Sequence, residues 1–367
     1  METITKINNL VKSIAKDSIP KAKHHRFLNL VEKCSLSVFS SLNSAGRSLT
    51  ANRYTGESRI RRAIADNVLA HSLQDVLLLK VFAKLSGYVF CSLDHSQFGP
   101  FCIAVLAVSF RKGRAIPIWC QVSLSEAVLI NPLISCLEEL FPKLATINPK
   151  LHLVLVMDRW FASFRLFNLF DLYGIYFIAR TKSDKKVRLP WDTSWQRTPI
   201  LEVSHEELDI TYRKHQLRLI RSTYDEIMRV KGNTEPWFLL TNLPRPSLSR
   251  QAAQEHHPDG FSRRQILNRY AERFEIEEAF KDIKWLNRLE WQQVKKPEHI
   301  HSLLLFVFFG RWLLWWVITP QITKVKRELH TTCHPKKRLS WLREAWEHLE
   351  RLRTVPVVTG RGLGVWG

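Results

Sequence analysis

Two aspartates each close an apolar run that has the composition of a β-strand. Asp94 closes the short run Tyr88–Asp94, and Asp158 closes the nearly continuous apolar run Leu151–Asp158, which is typical of a buried central or parallel strand. If these two strands are neighbours, their carboxylates converge at one end of a sheet, where oxygen ligands can hold a hard divalent cation. A single Asp at a strand end is usually a turn residue, but two on adjacent apolar strands are a much less common coincidence.

A third carboxylate is expected on a helix over residues 270–284, where four glutamates compete. At about 100° per residue, the apolar positions of this helix form one core-facing stripe. Glu277 falls at the edge of the stripe, whereas Glu275 and Glu278 fall towards solvent. Glu272 falls inside the stripe and is the close competitor. Helical geometry therefore favours Glu277 as the third acid.

The same helix face also carries Tyr270, Arg273 and Lys284 beside Glu277. It thus presents a phenol, a guanidinium, a carboxylate and an ammonium group together. The alternative interpretation is structural, because Arg273 and Glu277 stand four residues apart and can form an ordinary helical ion pair.

The elements that must position these residues follow the order β-β-β-α-β-α-β. This order matches the α/β ribonuclease-H-like fold, in which the first and fourth strands lie side by side. Three strands joined by short turns predict a meander, and Gly174 is expected to end the second helix. Besides the two acid-bearing strands, the predicted elements are strands Phe101–Phe110, Ile116–Val122 and Ile175–Arg180 and helices Ser125–Leu144, interrupted by Pro132, and Phe161–Leu172.

Changes in composition and in helix-like or strand-like residue patterns along the chain predict five segments. A β-rich insertion separates the two parts of the catalytic core, and the glutamate helix belongs to the second part, so the core reads β-β-β-α-β-α-β-α. The segments are a helical N-terminal domain (1–86), the first part of the core (87–182), the insertion (183–258), the remainder of the core (259–320) and a basic C-terminal tail (321–367).

The chain is strongly basic. Its 55 Lys and Arg residues against 34 Asp and Glu give a formal charge of +21, which argues for a polyanionic partner. Nucleic acid is the first expectation, and an acidic membrane surface is the rival. In the N-terminal segment, Arg59, Arg61 and Arg62 start one predicted helix and are candidates for binding DNA. A solvated basic face is the alternative for any one of them.

The most apolar segment, Leu303–Thr319, is predicted to be a buried helix. It is shorter than the roughly 20 residues that a membrane span needs, and Arg311 lies near its middle. The N-terminal residues lack the apolar core of a signal peptide. Six cysteines without a Cys-x-x-Cys pair are typical of a reducing compartment. We therefore expect a cytoplasmic protein with no membrane partner.

The glutamate helix carries a spaced motif, Tyr-(2)-Arg-(3)-Glu-(6)-Lys, formed by Tyr270, Arg273, Glu277 and Lys284. This spacing resembles the signature of DDE insertion-sequence transposases, in the branch that the Tyr-Arg-Glu-Lys motif defines. The resemblance covers roughly residues 88–310, and the four-residue motif is its specific part.

Other segments resemble the same family with less specificity. Asp158-Arg159 resembles the Asp-Arg pair after the second acidic strand, and Trp237–Pro244 resembles the segment upstream of the glutamate helix. The β-rich insertion before that helix is a further likeness. The chain departs from the family at Trp160-Phe161, where a small residue is expected before the aromatic one.

The resemblance implies a metal-dependent DNA transposase, an endonuclease and strand transferase. Asp94, Asp158 and Glu277 would be its catalytic residues and its metal ligands. They would hold two Mg²⁺ ions about 3.5–4 Å apart, for which Mn²⁺ can substitute. Four residues would contact DNA phosphates, namely Tyr270, Arg273, Lys284 and Arg159.

The resemblance also implies how DNA is handled. The N-terminal region would bind the terminal inverted repeats, and a homodimer would form the synaptic complex on transposon-end and target double-stranded DNA, in a bacterial cytoplasm near the nucleoid. Some relatives stack a flipped base on an aromatic residue of the insertion. Trp237 is a candidate by location only, and a core position in a strand is the alternative.

Three other functions remain open at this stage. A catalytically silent DNA-binding protein derived from a transposase would share the fold. A different nuclease or resolvase of that fold would share the acids but would not need the Tyr-Arg-Glu-Lys spacing. A basic membrane-associated protein would rest on residues 303–319 alone.

Overall fold

The computed structural model describes residues 2–31, 53–109, 115–193, 197–223, 236–246, 260–287 and 294–318. The chain divides into two compact units. The first comprises Met1–Leu77, Ile116–Cys120 and Lys281–Gly367, and the second comprises Leu78–Ala115 and Gln121–Phe280. Residues 281–318 thus group with the N-terminal helices by contacts. The predicted tail (321–367) and the predicted turn 111–114 lie outside the described residues.

The described residues form helices and strands in the following order along the chain. The helices are α1 Glu2–Ser18, α2 His24–Leu30, α3 Arg53–Ile64, α4 Asn67–Phe82, α5 Ile130–Ile147, α6 Phe164–Tyr173, α7 Arg263–Glu272, α8 Phe274–Asn287 and α9 Pro297–Leu313. The strands are β1 Gly87–Phe98, β2 Phe101–Ser109, β3 Ala115–Ser123, β4 Leu151–Met157, β5 Tyr176–Arg180, β6 Lys186–Val187, β7 Thr198–Pro199, β8 Glu207–Tyr212, β9 His215–Arg221 and β10 Phe238–Thr241.

Apart from Ile116–Cys120 of β3, the described part of the first unit is mostly helical, and α9 is its most apolar helix. Residues Leu303–Leu314 are all buried, and Phe27 of α2 packs against the rings of Phe306 and Phe309 at 6.2 and 5.9 Å between centroids. The buried helix predicted for this segment is therefore confirmed for its described part. In the described part of the chain, no helix has the length and apolarity to cross a membrane.

An eight-stranded sheet has the order β3-β2-β1-β4-β5-β10-β9-β8. Its residues belong to the second unit, except that Ile116–Cys120 of β3 group with the first. β1 pairs antiparallel with β2 and parallel with β4, and β4 pairs parallel with β5. The predicted neighbourhood of the first and fourth strands is therefore confirmed. β8, β9 and β10 of the predicted insertion continue the same sheet from β5, and β6 pairs with β7 apart from it.

The first strand is longer than predicted, and Asp94 does not close it. β1 runs on to Phe98 because residues His95–Phe98 pair with the start of β2, and the Gly99-Pro100 turn joins the two strands. Gly99 adopts a positive φ of 57°, which glycine tolerates without a steric penalty. β4, in contrast, stops at Met157. Asp94 therefore marks the end of the parallel pairing rather than the end of the strand.

The helices begin and end at recognisable signals. α5 starts at Ile130, and Pro132 lies in its first turn rather than interrupting it, since the first turn needs no amide hydrogen from that residue. Ser163 caps α6 by accepting from the Leu166 amide, and Gly174 ends it with φ 63°, as predicted.

The glutamate helix is divided in two rather than continuous. Ser262 and Gln265 form a capping box at the start of α7. α7 ends at Glu272, and α8 begins at Phe274. At Arg273 between them, the amide donates to the Tyr270 carbonyl three residues back at 3.0 Å. Arg273 itself keeps helical backbone angles, with φ −54° and ψ −34°, and the Ile276 amide donates to its carbonyl in the same three-residue pattern.

Candidate active site

The register of β1 and β4 sets the first two acids side by side. The last parallel pair is Leu93 with Met157, and the next residues along the two strands are Asp94 and Asp158. Asp94 is buried, and its Oδ1 accepts from the His95 amide at 2.8 Å. Asp158 is half-buried, and its Oδ1 accepts from the Trp160 amide. The carboxyl ends of parallel strands thus bring two carboxylates to one edge of the sheet, as the sequence predicts.

Arg273 joins Glu277 to this pair. Its Nη1 donates to Asp94 Oδ2, and its Nη2 donates to Glu277 Oε1 at 2.8 Å. The Arg273 side chain is only 6% exposed, whereas the Glu277 side chain is 42% exposed. The predicted helical ion pair exists, but it is part of a bridge from α8 to β1.

Burial dominates the electrostatics of this cluster. The pKa of Asp94 is raised from 3.8 to about 6, mainly by burial and in smaller part by the charges of Asp158 and Glu277, while Arg273 and the His95 amide oppose the rise. Burial works against the charge of Arg273, but Tyr270, Asp94 and Glu277 outweigh it and raise its pKa, so the guanidinium stays protonated. A carboxyl group with a strongly perturbed pKa beside other acids is a common mark of a functional site.

Three of the four competing glutamates differ in their partners. Glu277 contacts the arginine that holds Asp94, whereas Glu272 pairs with Arg269 at 2.9 Å. Glu275 was expected to face solvent, but it is half-buried and accepts a hydrogen bond from Ser109 at the end of β2. Placing residues at 100° intervals around the helix could not predict this contact, because that projection contains no information about the strand that packs beside the helix.

Two predicted contact residues lie in the core. Tyr270 is fully buried, and its ring meets that of Trp237 edge-on at 4.9 Å between centroids. Trp237 is 2% exposed and belongs to an apolar cluster with residues such as Phe90, Val156 and Ile266. In the described structure Trp237 thus occupies the core position that was the alternative to base stacking. Lys284 is half-buried in the last turn of α8, within the first unit.

A cleft of about 850 Å³ opens at Asp158, and the carboxylates of Glu126 and Asp184 also line it. Arg159, Arg180 and Lys182 line it with cationic groups, and Trp160 lines it with a ring that packs on His95 at 4.7 Å between centroids. The sequence indicated only Arg159 here. Arg180 and Lys182 follow from a rule that could have found them, since β5 is parallel to β4 and its carboxyl end meets the same edge of the sheet.

The three arginines predicted to bind DNA do not start a helix, because α3 already begins at Arg53, and Arg61 and Arg62 lie in its last turn. They divide into two groups. Arg59 and Arg62 line a groove of about 460 Å³ together with His25, Arg26 and Asn29 of α2. Arg61 does not line this groove and pairs with Glu57 at 2.8 Å on the same helix. No local signal links α2 to α3 in the sequence, because the pairing of two helices depends on tertiary packing.

The donor set at the acidic edge suits a hard divalent cation, because Asp94, Asp158 and Glu277 offer only oxygen ligands. Their arrangement fits less well. Among the described residues, no three acids, histidines or cysteines converge closely enough to hold a metal ion. Arg273 lies between Asp94 and Glu277 and occupies one oxygen of each.

Residues 130–313, half of the chain, match the family model described as "Transposase DDE domain". The chain belongs to this transposase family. The family implies a ribonuclease-H-like α/β fold, which agrees with the mixed sheet and its central β1–β4 pairing. The matched segment includes Asp158 and Glu277 but begins after Asp94, so the choice of Asp94 rests on the strand register. No curated protein matches the sequence.

Proposed function

We propose that this transposase-family protein cleaves DNA at the ends of an insertion sequence and transfers the 3′-hydroxyl ends into target DNA. Asp94, Asp158 and Glu277 are its catalytic acids in this proposal. The observation that carries it is the register that sets Asp94 beside Asp158, together with the Arg273 bridge to Glu277. The Tyr-Arg-Glu-Lys spacing supports membership of the branch that this motif defines.

The three acids would hold Mg²⁺ or Mn²⁺ through carboxylate oxygens, with two ions per site. The metal would supply activation of the attacking oxygen and stabilisation of the leaving oxygen in phosphoryl transfer. The neighbouring cations would bind the phosphates on either side of the reacting one. Arg159, Arg180 and Lys182 in the Asp158 cleft have the charge and exposure for this task, and Arg guanidinium matches phosphate with two parallel hydrogen bonds. Lys284 would contribute a further point charge.

The groove of the first unit would hold the transposon end. Arg59, Arg62 and the α2 residues His25 and Arg26 present exposed donors, and the chain carries a charge of +21. Exposed cations bind duplex DNA mainly through its phosphates, with little dependence on sequence. Two copies of the chain would pair the two transposon ends in a bacterial cytoplasm, near the nucleoid, and join them to target DNA.

The test is cleavage of a labelled duplex that carries the end of the flanking element. Wild type should nick the duplex with Mg²⁺ and not with EDTA. Glu277→Ala should reduce cleavage by at least about 10³-fold while DNA binding is retained, because a residue of a catalytic set acts with its partners as a unit. Glu278→Ala is the matched control, since it removes the adjacent carboxylate of the same helix.

The other outcomes separate the alternatives. Cleavage that survives in Glu277→Ala and is lost in Glu272→Ala would make Glu272 the third acid. Wild-type protein that binds the transposon end but never cleaves it would favour the catalytically silent DNA-binding protein. That second function has one observation in its favour, which is the lack of a three-ligand cluster among the described residues.

A further inference from the structure

Arg273 occupies the position from which it controls two of the three acids. It bonds both Asp94 and Glu277, and its side chain is almost wholly buried. Its guanidinium carbon also lies 4.9 Å from the centroid of the Phe274 ring and 5.6 Å from that of Tyr270. Packing on two rings fixes the plane of the guanidinium, so its donors point at the carboxylates rather than at solvent.

This bridge uses the oxygens that a divalent cation would need. Both oxygens of Asp94 have donors, since Oδ1 accepts from the His95 amide and Oδ2 accepts from Arg273. Oε1 of Glu277 accepts from the other Arg273 nitrogen. A hard cation takes about six oxygen ligands, and a fixed positive charge beside it opposes its binding. The acids and a cation therefore compete for the same oxygens while Arg273 keeps this arrangement.

A DNA phosphate is the chemical group best matched to release the bridge. Guanidinium binds phosphate and carboxylate with the same planar pair of donors, so one partner can replace the other without loss of hydrogen bonds. The exposed cations Arg159 and Lys182 of the Asp158 cleft would bind phosphates at this edge of the sheet, and Asp158 is close enough to Arg273 to affect its pKa.

We propose that Arg273 couples DNA binding to metal loading: its guanidinium holds Asp94 and Glu277 until a phosphate of bound DNA takes it over and frees both carboxylates for the metal. This inference rests on the proposed function and adds a control to it. Arg273 is then a positioning residue that keeps the acids from loading before DNA is present. Because binding linkage is reciprocal, DNA should raise the affinity for metal by the same factor by which metal raises the affinity for DNA.

The experiment measures Mn²⁺ binding to the full chain by the electron paramagnetic resonance signal of free Mn²⁺, with and without a duplex carrying the transposon end. For wild type, the duplex should raise Mn²⁺ affinity by a factor of about 5–150, the usual range of coupling between sites. In Arg273→Met, Mn²⁺ should bind without DNA more tightly than it binds to wild type alone, and the factor should fall towards 1. Arg273→Lys can satisfy only one carboxylate and should give an intermediate factor.

Arg269→Met is the matched control. Arg269 lies one turn away on α7, pairs with Glu272 and contacts neither Asp94 nor Glu277. Its factor should equal that of wild type. Circular dichroism of each variant shows whether it folds, and Arg273→Lys keeps the test open if Arg273→Met does not.

Two results would overturn the inference, and they are distinguishable from each other. If Arg273→Met binds Mn²⁺ more weakly than wild type and keeps the full factor, Arg273 is only a scaffold for the acids, and the proposed function stands. If wild type binds neither Mn²⁺ nor the duplex under any condition, the proposed function fails together with the inference.

Discussion

Each of the two units contains a buried charge cluster, and the two clusters have opposite composition. In the second unit, one arginine, Arg273, serves two acids, Asp94 and Glu277. In the first unit, one acid, Asp66, serves two cations, Lys23 and Arg26, the latter at 2.8 Å. The shared residue is buried in both clusters, with side-chain exposures of 6% for Arg273 and 5% for Asp66.

The difference lies in the charge that each cluster leaves over. Asp158 adds a third acid beside Asp94, so the cluster around Arg273 holds more acids than cations. The groove beside Arg26 adds Arg59 and Arg62, so the first unit presents excess positive charge, which suits DNA phosphate.

The pKa values of Asp66 and Asp94 are shifted in opposite directions. Burial would raise the pKa of Asp66, but the contacts with Lys23, Arg26 and the Leu69 amide outweigh burial and hold the pKa below its usual value. The pKa of Asp94 is raised despite its arginine. Asp66 is therefore satisfied by its partners and ties α2 to the start of α4, whereas Asp94 remains in need of further positive charge.

The largest expected effect is a loss of stability when Arg218 is replaced. Arg218 is buried in the second unit like Arg273, but among the described residues it is not surrounded by several acids. Arg218 of β9 donates to Glu207 and to the backbone carbonyls of Leu243, Pro244 and Phe261. Arg218→Met leaves these acceptors without their donor, so we expect the free energy of unfolding to fall by about 3–5 kcal/mol, as for other broken buried pairs. Urea unfolding measures the loss.

Arg245→Met is the control for this prediction, because Arg245 pairs with the same Glu207 at 3.1 Å from a more exposed position. Its loss should cost at most about 1 kcal/mol. The affinity of folded Arg218→Met for Mn²⁺ should equal that of wild type. A large change in that affinity would mean that Arg218 is not purely structural and that its role overlaps with that of Arg273.

The second prediction uses pH to compare Asp94 with Asp66. Folding raises the pKa of Asp94 from 3.8 to about 6, so the folded state binds that proton more tightly than the unfolded chain. The contribution of Asp94 to the free energy of unfolding therefore declines as pH rises from 3.8 to about 6. Asp94→Asn removes the decline, so it should gain stability relative to wild type across this window and keep a constant difference above it.

Asp66→Asn should behave in the opposite way. Since the pKa of Asp66 is lowered, its contribution is present above 3.8 and is lost as pH falls through the folded value. Urea unfolding at a series of pH values compares the two variants with wild type. Slopes of the same sign for both variants would show that the two clusters are not electrostatic opposites.

The acidic edge could be predicted from the sequence because its cause is local. Apolar runs of strand length predict β1 and β4, and the order of elements predicts that these strands are neighbours. The proximity of Asp94 and Asp158 could therefore be predicted from the sequence. The length of β1 could not be predicted in the same way. It depends on pairing with β2 beyond Asp94, and the polar residues His95–Gln97 read as a turn when they are considered alone.

The parts that sequence could not supply depend on contacts between distant segments. Arg218 stands in an alternating strand, where a charged residue normally faces solvent, yet three backbone carbonyls from other segments enclose it. Gly260 is similar, because a β-carbon there would lie 1.9 Å from the Arg245 carbonyl oxygen, and only glycine allows that close approach before α7. Trp237 could be ranked for base stacking by location but not by burial, which arises from its packing on Tyr270.

The smallest expected effect concerns the exposed groove of the first unit. Arg59→Ala combined with Arg62→Ala should weaken binding of the transposon-end duplex without lowering the free energy of unfolding, because both side chains are exposed. Each lost phosphate contact should reduce the slope of log affinity against log salt by about 0.9. Fluorescence anisotropy across a salt series measures the affinity and its salt dependence.

Arg61→Ala is the control, since Arg61 pairs with Glu57 outside the groove, and it should leave the slope unchanged. An equal loss of slope in Arg61→Ala would mean that the whole basic surface of α3 binds the DNA, rather than the groove between α2 and α3.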